Sequence, residues 1–356
     1  MKHSIFITGA AGYVGGMLVE QFAKNPEVEK IIGLDKEPLP ESLSKEPKLI
    51  YIQANTADKD SAWEEKARAY NPGVVIHCAW QIREIYGNRA LSWKWNVDGS
   101  DRVFDFALNT SSVSRLIHFS TVASYGAFPI NSVEHRYIEN EPFRKTDYLY
   151  AEEKRIAEEH LENKYAESDK RVSVSVIRPA SITGPRGRFM RTSFGLQSAL
   201  SGRLKRSALN RIISGLVTFV PVTPSWLRQF IHEDDVVAIV ERLALGASAN
   251  GYEVFNICPP GEVVLGKDMA KAVGKRTVSI PPQLIRFAFF WAWHLTRGRV
   301  PTAPGVWKAY SYPIAIDGSK AARKLGYEYR YPSFDALYYT NGAYESGVPE
   351  SLRRHK

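Results

Sequence analysis

Short runs of β-branched and other apolar residues alternate with amphipathic stretches through the first half of the chain. The runs that predict strands are Ser4–Thr8, Lys30–Leu34, Leu49–Gln53, Val74–Cys78, Leu116–Ser120 and Val172–Ile177. The stretches that predict helices are Gly15–Lys24, Ser61–Tyr70, Trp95–Leu108 and Tyr148–Tyr165. Regular alternation of strands and helices predicts an α/β fold, in which helices cover both faces of a doubly wound parallel sheet.

The last of these helices has a defined start. Thr146 or Asp147 can accept hydrogen bonds from its first backbone N–H groups, and Glu152 and Glu153 favour its positive end. We therefore expect the helix to begin close to Tyr148.

The alternation ends near Gly184, where the chain becomes rich in proline and in basic residues. Strand patterns become shorter there, as at Tyr252–Ile257. The simplest organisation is a parallel-sheet domain over residues 1–180 and a smaller C-terminal lobe over 181–356. We expect parts of 228–258 to return to the sheet.

One segment, Leu284–Leu295, is apolar on every side of a helix. Such a helix is either buried or lies in a membrane interface. Because apolar helices usually belong to a core, we favour a packed helix that lines a substrate pocket. The neighbouring Arg286, Arg297 and Arg299 keep membrane contact as the alternative.

The composition is that of a globular protein. Of 356 residues, 44% are hydrophobic and 24% charged, which argues against disorder and fibrous repeats.

The only cysteines, Cys78 and Cys258, lie in apolar runs, so we expect no disulfide framework and a reducing, cytoplasmic location. Met1–Thr8 resembles a first strand rather than a signal peptide, and no apolar run is long enough to span a membrane.

The net charge of +9 is concentrated in two acid-free segments. Ser181–His232 holds eight bases and Met269–Ile316 holds seven. Without these fifteen, 32 bases face 38 acids in the rest of the chain. A basic lobe suits an anionic ligand, an anionic membrane surface or nucleic acid, while a solvated surface without a partner remains equally open. The bases form no recognised nucleic-acid motif, so we expect no nucleic-acid partner.

A glycine-rich turn follows the first predicted strand. Gly9, Gly12 and Gly15 lie in Thr8–Gly15, between that strand and a helix. Glycines at this spacing allow a tight turn, close approach of the backbone to a pyrophosphate, and close packing of helix and sheet. The N-terminus of the helix then offers N–H groups to the phosphates.

Asp35 ends the second predicted strand, twenty residues after Gly15. A carboxylate at this place accepts hydrogen bonds from the adenosine ribose and repels a 2′-phosphate. NAD is therefore favoured over NADP, although the adjacent Lys36 weakens that preference. The alternative interpretation is that Asp35 is an acidic residue in the turn after the strand and binds no ligand.

Tyr150 and Lys154 are four residues apart and therefore share one helix face. A phenol, with an ordinary pKa of about 10, becomes a useful base only when a neighbouring cation stabilises its phenolate. This spacing often occurs by chance as a surface pair. Here Ser120 and Thr121, at the end of a predicted strand, add polar groups of the kind that such chemistry needs.

Together these elements resemble an extended short-chain dehydrogenase/reductase of the NAD-dependent epimerase/dehydratase family, which has a Rossmann fold. The matching motifs are Gly9…Gly12…Gly15, His77-Cys78-Ala79, Asn96-Val97-Asp98-Gly99, Ser120-Thr121…Tyr125-Gly126, Tyr150…Lys154, Arg178-Pro179…Gly184-Pro185, Arg228…Asp235 and Asp317…Tyr327. They span most of the chain, and their joint occurrence is highly specific.

The resemblance implies roles for individual residues. Tyr150 would be the acid/base, Lys154 would bind the nicotinamide ribose, and Thr121 would hydrogen-bond the reacting oxygen. Asn55 stands where the family has an aspartate, so its amide oxygen would accept the adenine amino group. The implied cofactor contacts are Gly9, Gly12, Tyr13, Val14, Gly15, Asp35, Asn55, Asp58, Ala79, Asn96, Tyr150, Lys154, Pro179 and Ser181.

Two histidines need a separate interpretation. We interpret His77 as a core strand residue rather than a catalytic one. His232 with Asp234 and Asp235 is expected to stabilise the C-terminal lobe, because no second cluster of ligands accompanies it in the sequence. We therefore expect no metal.

The substrate is a small molecule whose class remains open. Ser181 replaces an asparagine that nucleotide-sugar members usually carry, and Gly215–Trp226 is unusually apolar. With the Leu284–Leu295 helix, these features favour a substrate with an apolar body, and the basic lobe suits an anionic group on it. Nucleotide-sugar epimerisation or dehydration is one alternative, and a non-catalytic NAD-binding or membrane-surface protein is another. Family members often form homodimers through the helices equivalent to Trp95–Leu108 and Tyr148–Tyr165.

Overall fold

The computed structural model describes residues 2–187, 219–246, 251–271, 275–338 and 342–348. These residues belong to two compact units. The first contains Met1–Thr121, Tyr150–Arg178 and Val237–Phe255, and the second contains Val122–Leu149, Pro179–Val236 and Asn256–Lys356. Part of the first basic segment lies outside the described residues, namely Arg188, Arg191, Arg203, Lys205, Arg206 and Arg211.

The elements up to Pro179 follow the predicted alternation. They are β1 (His3–Thr8), α1 (Tyr13–Lys24), β2 (Val28–Asp35), β3 (Leu49–Gln53), α2 (Trp63–Arg68), β4 (Val74–His77), α3 (Arg89–Trp93), α4 (Gly99–Asn109), β5 (Arg115–Phe119), α5 (Leu149–Glu167) and β6 (Ser173–Pro179). A π-helical turn, Lys94–Asp98, joins α3 to α4, so the predicted Trp95–Leu108 helix is divided.

The later elements are shorter. They are β7 (Ser181–Thr183), β8 (Phe219–Val222), β9 (Leu227–Arg228), β10 (Phe230–His232), α6 (Glu233–Leu245), β11 (Tyr252–Ile257), β12 (Val264–Leu265), α7 (Gly266–Lys271), β13 (Arg276–Ser279), α8 (Pro282–Leu295), α9 (Val306–Ala309), α10 (Ser319–Leu325) and α11 (Ser333–Tyr338).

Seven strands form one parallel sheet in the order β11-β6-β5-β4-β1-β2-β3, which confirms the predicted doubly wound architecture. The order reverses beside β1, where Thr8 pairs with Leu34 of β2 on one side and with His77 of β4 on the other. In sheets of this kind, ligands bind at the carboxyl ends of the strands next to such a reversal. The fold therefore brings the ends of β1, β2 and β4 to one edge.

Aromatic packing holds the helices of the first unit against this sheet. The fully buried Trp63 stacks on Phe6 at 5.7 Å between ring centroids and packs against Phe106 at 5.5 Å. The indole N–H of Trp63 donates to the carbonyl of Thr56 at 3.1 Å. Its apolar area is thus buried without an unpaired polar group.

The second unit is built on small two-stranded sheets, β7 with β10, β9 with β12, and β8 with β13. Trp226, Phe230 and Val264 are buried in its core. The side-chain amide of the buried Gln229 bonds to both backbone groups of Ile316, at 2.7 and 3.0 Å. This contact joins segments almost ninety residues apart in the chain.

Helix α8 differs from the packed helix that we favoured from the sequence. One face is packed, with Trp293 and Phe289 in a cluster that contains Val306. The other face is exposed, at 63% for Phe287 and 75% for Leu295. The prediction is wrong for that face, because an all-apolar sequence shows that a helix can be buried without showing how many of its sides are covered.

Among the described residues, no helix combines the length and the apolar character that crossing a bilayer requires.

Candidate active site

The glycine turn after β1 packs directly on the backbone that follows β4. Gly9 has a φ of +73°, and a Cβ there would lie 2.7 Å from the backbone nitrogen of Ala79. A Cβ on Gly15 would overlap the carbonyl oxygen of Gly9. Both positions thus require glycine for physical reasons, because the turn, the start of α1 and the segment after β4 pack backbone against backbone.

Helix α1 begins at this turn without a side-chain cap. Gly12 is its N-cap residue, and no acidic residue lies in its first turn. The side chain of Tyr13 is buried and that of Val14 is half-buried. The first N–H groups of a helix have no acceptor within the helix, and its positive end attracts anions. This end of α1 therefore suits a phosphate.

Asp35, at the end of β2, supports the same turn. Its carboxylate accepts the N–H of Ala11 and the N–H of Glu37, both at 3.0 Å. Burial raises the pKa of Asp35, and these two hydrogen bonds counteract the rise. The Lys36 ammonium lies 4.5 Å from the centroid of the Trp95 ring. Asp35 is thus held in place by backbone groups, with its side chain half-buried.

Tyr150 and Lys154 occupy the first two turns of α5. The N–H of Tyr148, the residue before α5, donates to the Thr146 hydroxyl at 3.3 Å, and the helix begins at Leu149, close to the predicted start. Tyr150 is half-buried, whereas Lys154 is 3% exposed. Their spacing places a phenol near the surface and an ammonium one turn deeper on the same face of the helix.

The Lys154 ammonium has two partners at the edge of the sheet. It donates to the carbonyl of Phe119, the last residue of β5, and lies 3.6 Å from the centroid of the Trp80 ring. Burial lowers the pKa of Lys154 to about 7, despite the opposing effects of Cys78 and of the Glu158 and Glu153 carboxylates. Thr121 is buried two residues after that carbonyl. Lysine and threonine are thus both positioned by the end of β5.

A directed series of hydrogen bonds lies beneath this edge. His77 joins the Thr8 hydroxyl at 2.7 Å through Nδ1 and the Ser100 hydroxyl at 2.8 Å through Nε2. Ser100 donates to the carbonyl of Asn96, and Thr8 accepts the N–H of Ala79 at 3.3 Å. Therefore Nε2 of His77 carries the proton and Nδ1 accepts.

Burial keeps this histidine neutral. His77 is 1% exposed, and its pKa is lowered to about 3, mainly by desolvation and further by Lys154. It links strands β1 and β4 to helix α4. His77 therefore has the core position that the sequence analysis favoured.

Asn96 fixes the segment that follows β4. Its side-chain oxygen accepts the N–H of Gln81 at 2.7 Å, and its amide nitrogen donates to the carbonyl of Gln81 at 3.0 Å. The same nitrogen donates to the buried Glu153 at 2.6 Å, and burial raises the pKa of that carboxyl to about 7. Asn96 is 1% exposed, so in this structure its amide positions Gln81 and Glu153.

Asn55 and Asp58 stabilise local turns after β3. The side-chain oxygen of Asn55 accepts the N–H of Ala57 at 2.9 Å, and Asp58 accepts the N–H of Asp60 at 3.1 Å. Each has a further lone pair that can accept another hydrogen bond. A contact with adenine stays a prediction for both.

Pro179 and Ser181 belong to the second compact unit, at the end of β6 and the start of β7. The Ser181 hydroxyl accepts a hydrogen bond from Arg228 at 3.3 Å. The Arg228 guanidinium lies over the rings of Trp226 and Tyr310, at 5.8 and 5.0 Å. A cation framed by aromatic rings thus stands beside Ser181.

His232, Asp234 and Asp235 are buried in the second unit and accept hydrogen bonds from its backbone and from the Tyr327 side chain. His232 accepts the N–H of Asp234 at 3.2 Å, and Asp235 accepts the Tyr327 hydroxyl at 2.5 Å. Within the described ranges, no group of histidine, cysteine and carboxylate side chains is arranged to hold a metal ion. These residues connect the start of α6 to later segments of the chain.

Sequence reasoning did not identify three groups around Lys154 and His77. Trp80 supplies a ring face to the ammonium, Ser100 orients the histidine, and Glu153 anchors Asn96. Glu153 lies between Tyr150 and Lys154 in sequence, but its partner is 57 residues away. A tryptophan directly after His77-Cys78-Ala79 was visible in the sequence, although nothing local related it to a lysine.

The model of the NAD dependent epimerase/dehydratase family matches residues 5–258. Two curated relatives are uncharacterized proteins. One, y4nG from Sinorhizobium fredii, is 23% identical over 350 residues, covering 96% of this chain and 78% of its own length. The other, from Mycobacterium tuberculosis, is 22% identical over 284 residues, covering 78% of this chain and 67% of its own length.

Several solved structures share the fold. MoeE5 in complex with UDP-glucuronic acid and NAD has a TM-score of 0.68 at 19% identity, over 94% of this chain and 96% of MoeE5. WbmG from Bordetella bronchiseptica, in complex with NAD and UDP, has a TM-score of 0.67 at 24% identity, and the match covers 95% of this chain and 93% of WbmG. UDP-glucuronic acid 4-epimerase from Bacillus cereus has a TM-score of 0.67 at 19% identity, and the match covers 94% of this chain and 96% of that enzyme.

The lowered pKa of Lys154 predicts a specific dependence of stability on pH. A lysine in the unfolded chain has a pKa of about 10.4, whereas Lys154 in the folded protein has a pKa of about 7. Between these values the unfolded chain binds more protons, so this residue makes the unfolding free energy rise with pH. Below about pH 7 the full cost of burying the charge opposes folding.

We therefore expect the ligand-free protein to gain stability relative to Lys154→Met as the pH rises from about 6.5 to about 9.5. Urea unfolding at both pH values measures this difference. Lys164→Met, which removes a half-buried lysine of the same helix that pairs with Asp105, controls for general alkaline effects. A difference between the protein and Lys154→Met that stays constant across this range would contradict the assignment.

Proposed function

This chain belongs to the NAD dependent epimerase/dehydratase family, and we propose that it is an enzyme that oxidises a secondary alcohol of its substrate with NAD. The single observation that carries the proposal is the arrangement at the edge of the sheet. A half-buried Tyr150 stands one turn above the buried ammonium of Lys154, which is fixed by Phe119 and Trp80.

The residues of the glycine turn fit a dinucleotide. A Cβ at Gly9 or Gly15 would occupy space already filled by backbone, so the turn and α1 approach each other without side chains between them. The uncapped start of α1 at Gly12 would hold the pyrophosphate. Asp35, held by two backbone N–H groups, would accept the adenosine ribose hydroxyls.

The same carboxylate supports NAD over NADP. A 2′-phosphate beside Asp35 would bring two anions together in a half-buried place. Lys36 would offset that repulsion, but its ammonium is placed over the Trp95 ring. NAD is therefore the proposed cofactor, and NADP the weaker alternative.

Bound NAD supplies the acceptor for the hydride that leaves the alcohol carbon. In our proposal Tyr150 takes the hydroxyl proton, and Thr121 donates a hydrogen bond to the same oxygen. Lys154 binds the nicotinamide ribose and, when charged, stabilises the phenolate by its positive charge. Phe119 and Trp80 hold the Lys154 ammonium in place, so the ammonium needs little movement to stabilise the Tyr150 phenolate.

For the substrate, we propose an apolar body that carries an anionic group. The aromatic surroundings of Arg228, formed by Trp226 and Tyr310, combine one positive charge with apolar surface. Arg228 also binds Ser181, where nucleotide-sugar members usually have an asparagine. Nucleotide-sugar epimerisation or dehydration is the second candidate, since MoeE5 and the Bacillus cereus enzyme share the fold.

A non-catalytic NAD-binding protein is less consistent with the site. Such a protein has no need of a tyrosine and a lysine at this spacing with a buried threonine nearby, yet Tyr150, Lys154 and Thr121 are all present. Pairing of two copies through α4 and α5 stays a prediction.

The substrate class can be tested by incubating the protein with NAD and three sets of compounds. These are nucleotide sugars, sterols with and without a sulfate, and acyl-CoA esters that carry a secondary alcohol. We expect NADH absorbance, or a rise in melting temperature of several degrees, with the amphiphilic anions. A response to nucleotide sugars alone would contradict the proposed substrate and support the second candidate.

The cofactor site can be tested with two neighbouring glycines of α1. In Gly15→Ala the methyl group overlaps the Gly9 carbonyl, whereas in Gly16→Ala it would meet the carbonyl oxygen of Ala10 at an ordinary 3.6 Å. We expect Gly15→Ala to weaken NAD binding at least about tenfold, because the turn must move. Gly16→Ala should bind normally. Calorimetric titration measures both affinities, and circular dichroism shows whether each variant is folded. Equal affinities in two folded variants would argue against this phosphate site.

The proton transfer can be tested with Tyr150→Phe, which keeps the ring and removes the hydroxyl. Loss of an acid/base group typically slows a reaction by about 10²–10⁴, so we expect kcat to fall in that range. NAD affinity should change little. Tyr165→Phe, on the same helix, is the control. If Tyr150→Phe retained full turnover on a substrate found as above, Tyr150 would not be the acid/base.

A further inference from the structure

Helix α8 has two apolar faces on opposite sides. Ile285, Phe289 and Trp293 follow one another at intervals of four residues and define an inner face. Leu284, Phe287, Trp291 and Leu295, at intervals of three and four, define an outer face. In ordinary surface helices of soluble proteins, the face opposite the core is polar.

The inner face accounts for the packing of α8 within the second unit. Trp293 is 5% exposed and lies in a cluster with Ala303 and Val306. Phe289 packs against the same cluster, and its ring lies 5.4 Å from that of Tyr310. The helix is therefore attached without using its outer face.

The outer face is open to solvent. Leu284 is 54% exposed, Phe287 63%, Trp291 47% and Leu295 75%, and the adjacent Phe290 is 55% exposed. Large apolar side chains that are exposed singly are common, but a contiguous row of them marks a contact surface. Five such residues on one helix of fourteen need a partner that excludes water.

The surroundings of this face are positively charged. Arg286 lies within the helix, Arg297 and Arg299 follow its end, and Arg276 lies on the strand that leads into it. All four are exposed, and none forms an ion pair with another described residue. No acidic residue occurs from Met269 to Ile316. A partner must therefore be apolar at its centre and negatively charged around it.

We propose that α8 docks this protein on membranes that contain anionic lipids. A helix of fourteen residues is about 21 Å long, shorter than the roughly 30 Å hydrocarbon core of a bilayer. It therefore lies parallel to the membrane plane, with Phe287, Trp291 and Leu295 among the acyl chains. Arg286, Arg297 and Arg299 bind the lipid headgroups. This docking concerns where the protein resides and does not depend on the proposed reaction.

A membrane satisfies these observations better than a second copy of the chain. In a two-fold contact, the outer face of one copy meets the same face of the other. Such a contact would bring two sets of arginines together, and Met269–Ile316 contains no acid to neutralise them. Anionic headgroups provide that neutralisation. Aromatic residues beside basic ones are also the composition expected of helices that lie in the interface.

The test is co-sedimentation of the whole protein with vesicles. Phosphatidylcholine vesicles are compared with vesicles that also contain about a third phosphatidylglycerol, at low and at high salt. We expect binding to the anionic vesicles that weakens as salt increases. The double variant Phe287→Ser/Trp291→Ser should lose at least about tenfold in apparent partitioning, since its main inserted side chains are removed. The variant Arg286→Gln/Arg297→Gln/Arg299→Gln should lose the preference for anionic lipid.

Matched controls separate docking from loss of folding. Ile130→Ser changes an apolar residue that is 84% exposed elsewhere in the second unit and should bind vesicles normally. Melting curves and NAD titrations show whether each variant is folded. Absence of vesicle binding, equal binding to neutral and anionic vesicles, or unchanged binding by the folded double variant would each overturn the proposal. A dimer that dissociates in the double variant, without vesicle binding, would identify the face as a contact between copies.

Discussion

The site depends on an ammonium group placed in the protein interior. Lys154 is almost completely buried, and its pKa falls to about 7 because water is excluded from it. Two direct contacts of the ammonium offset that cost, the carbonyl of Phe119 and the face of the Trp80 ring. Both come from the ends of sheet strands, since Phe119 ends β5 and Trp80 follows β4. The lysine therefore keeps its position only while the edge of the sheet keeps its shape.

That edge is shaped by the strand order. Because β1 lies between β2 and β4, Thr8 at the end of β1 pairs with Leu34, the residue before Asp35, on one side and with His77 on the other. The glycine turn then passes close to Ala79, whose N–H bonds to Thr8. The place where a phosphate would bind and the place where a lysine is buried are thus built from adjacent strands of one sheet. Their separation is fixed by strand spacing rather than by flexible loops.

The sequence predicted most of this framework, since the relevant patterns are local. Leu49–Gln53 and Tyr252–Ile257 match the observed strands because β-branched and aromatic residues predominate in them. The glycine turn and the Tyr150–Lys154 pair were also visible, because each lies within eight residues. The bond between Asn96 and Glu153 was not, because nothing near either residue indicates a partner in another helix. The exposure of one face of α8 was missed for a similar reason. Whether a helix face is buried depends on which distant segments pack against it, and the sequence of the helix does not show them.

The hydrogen bonds around His77 have a consequence for the movement of protons. The series begins at the backbone N–H of Ala79 and ends at the backbone carbonyl of Asn96. Neither terminus can gain or lose a proton near neutral pH, and the imidazole between them is held neutral. Each donor already points in one fixed direction. This series of hydrogen bonds therefore cannot carry hydrogen ions between the strand ends and bulk water, because a proton that entered at one terminus could not leave at the other.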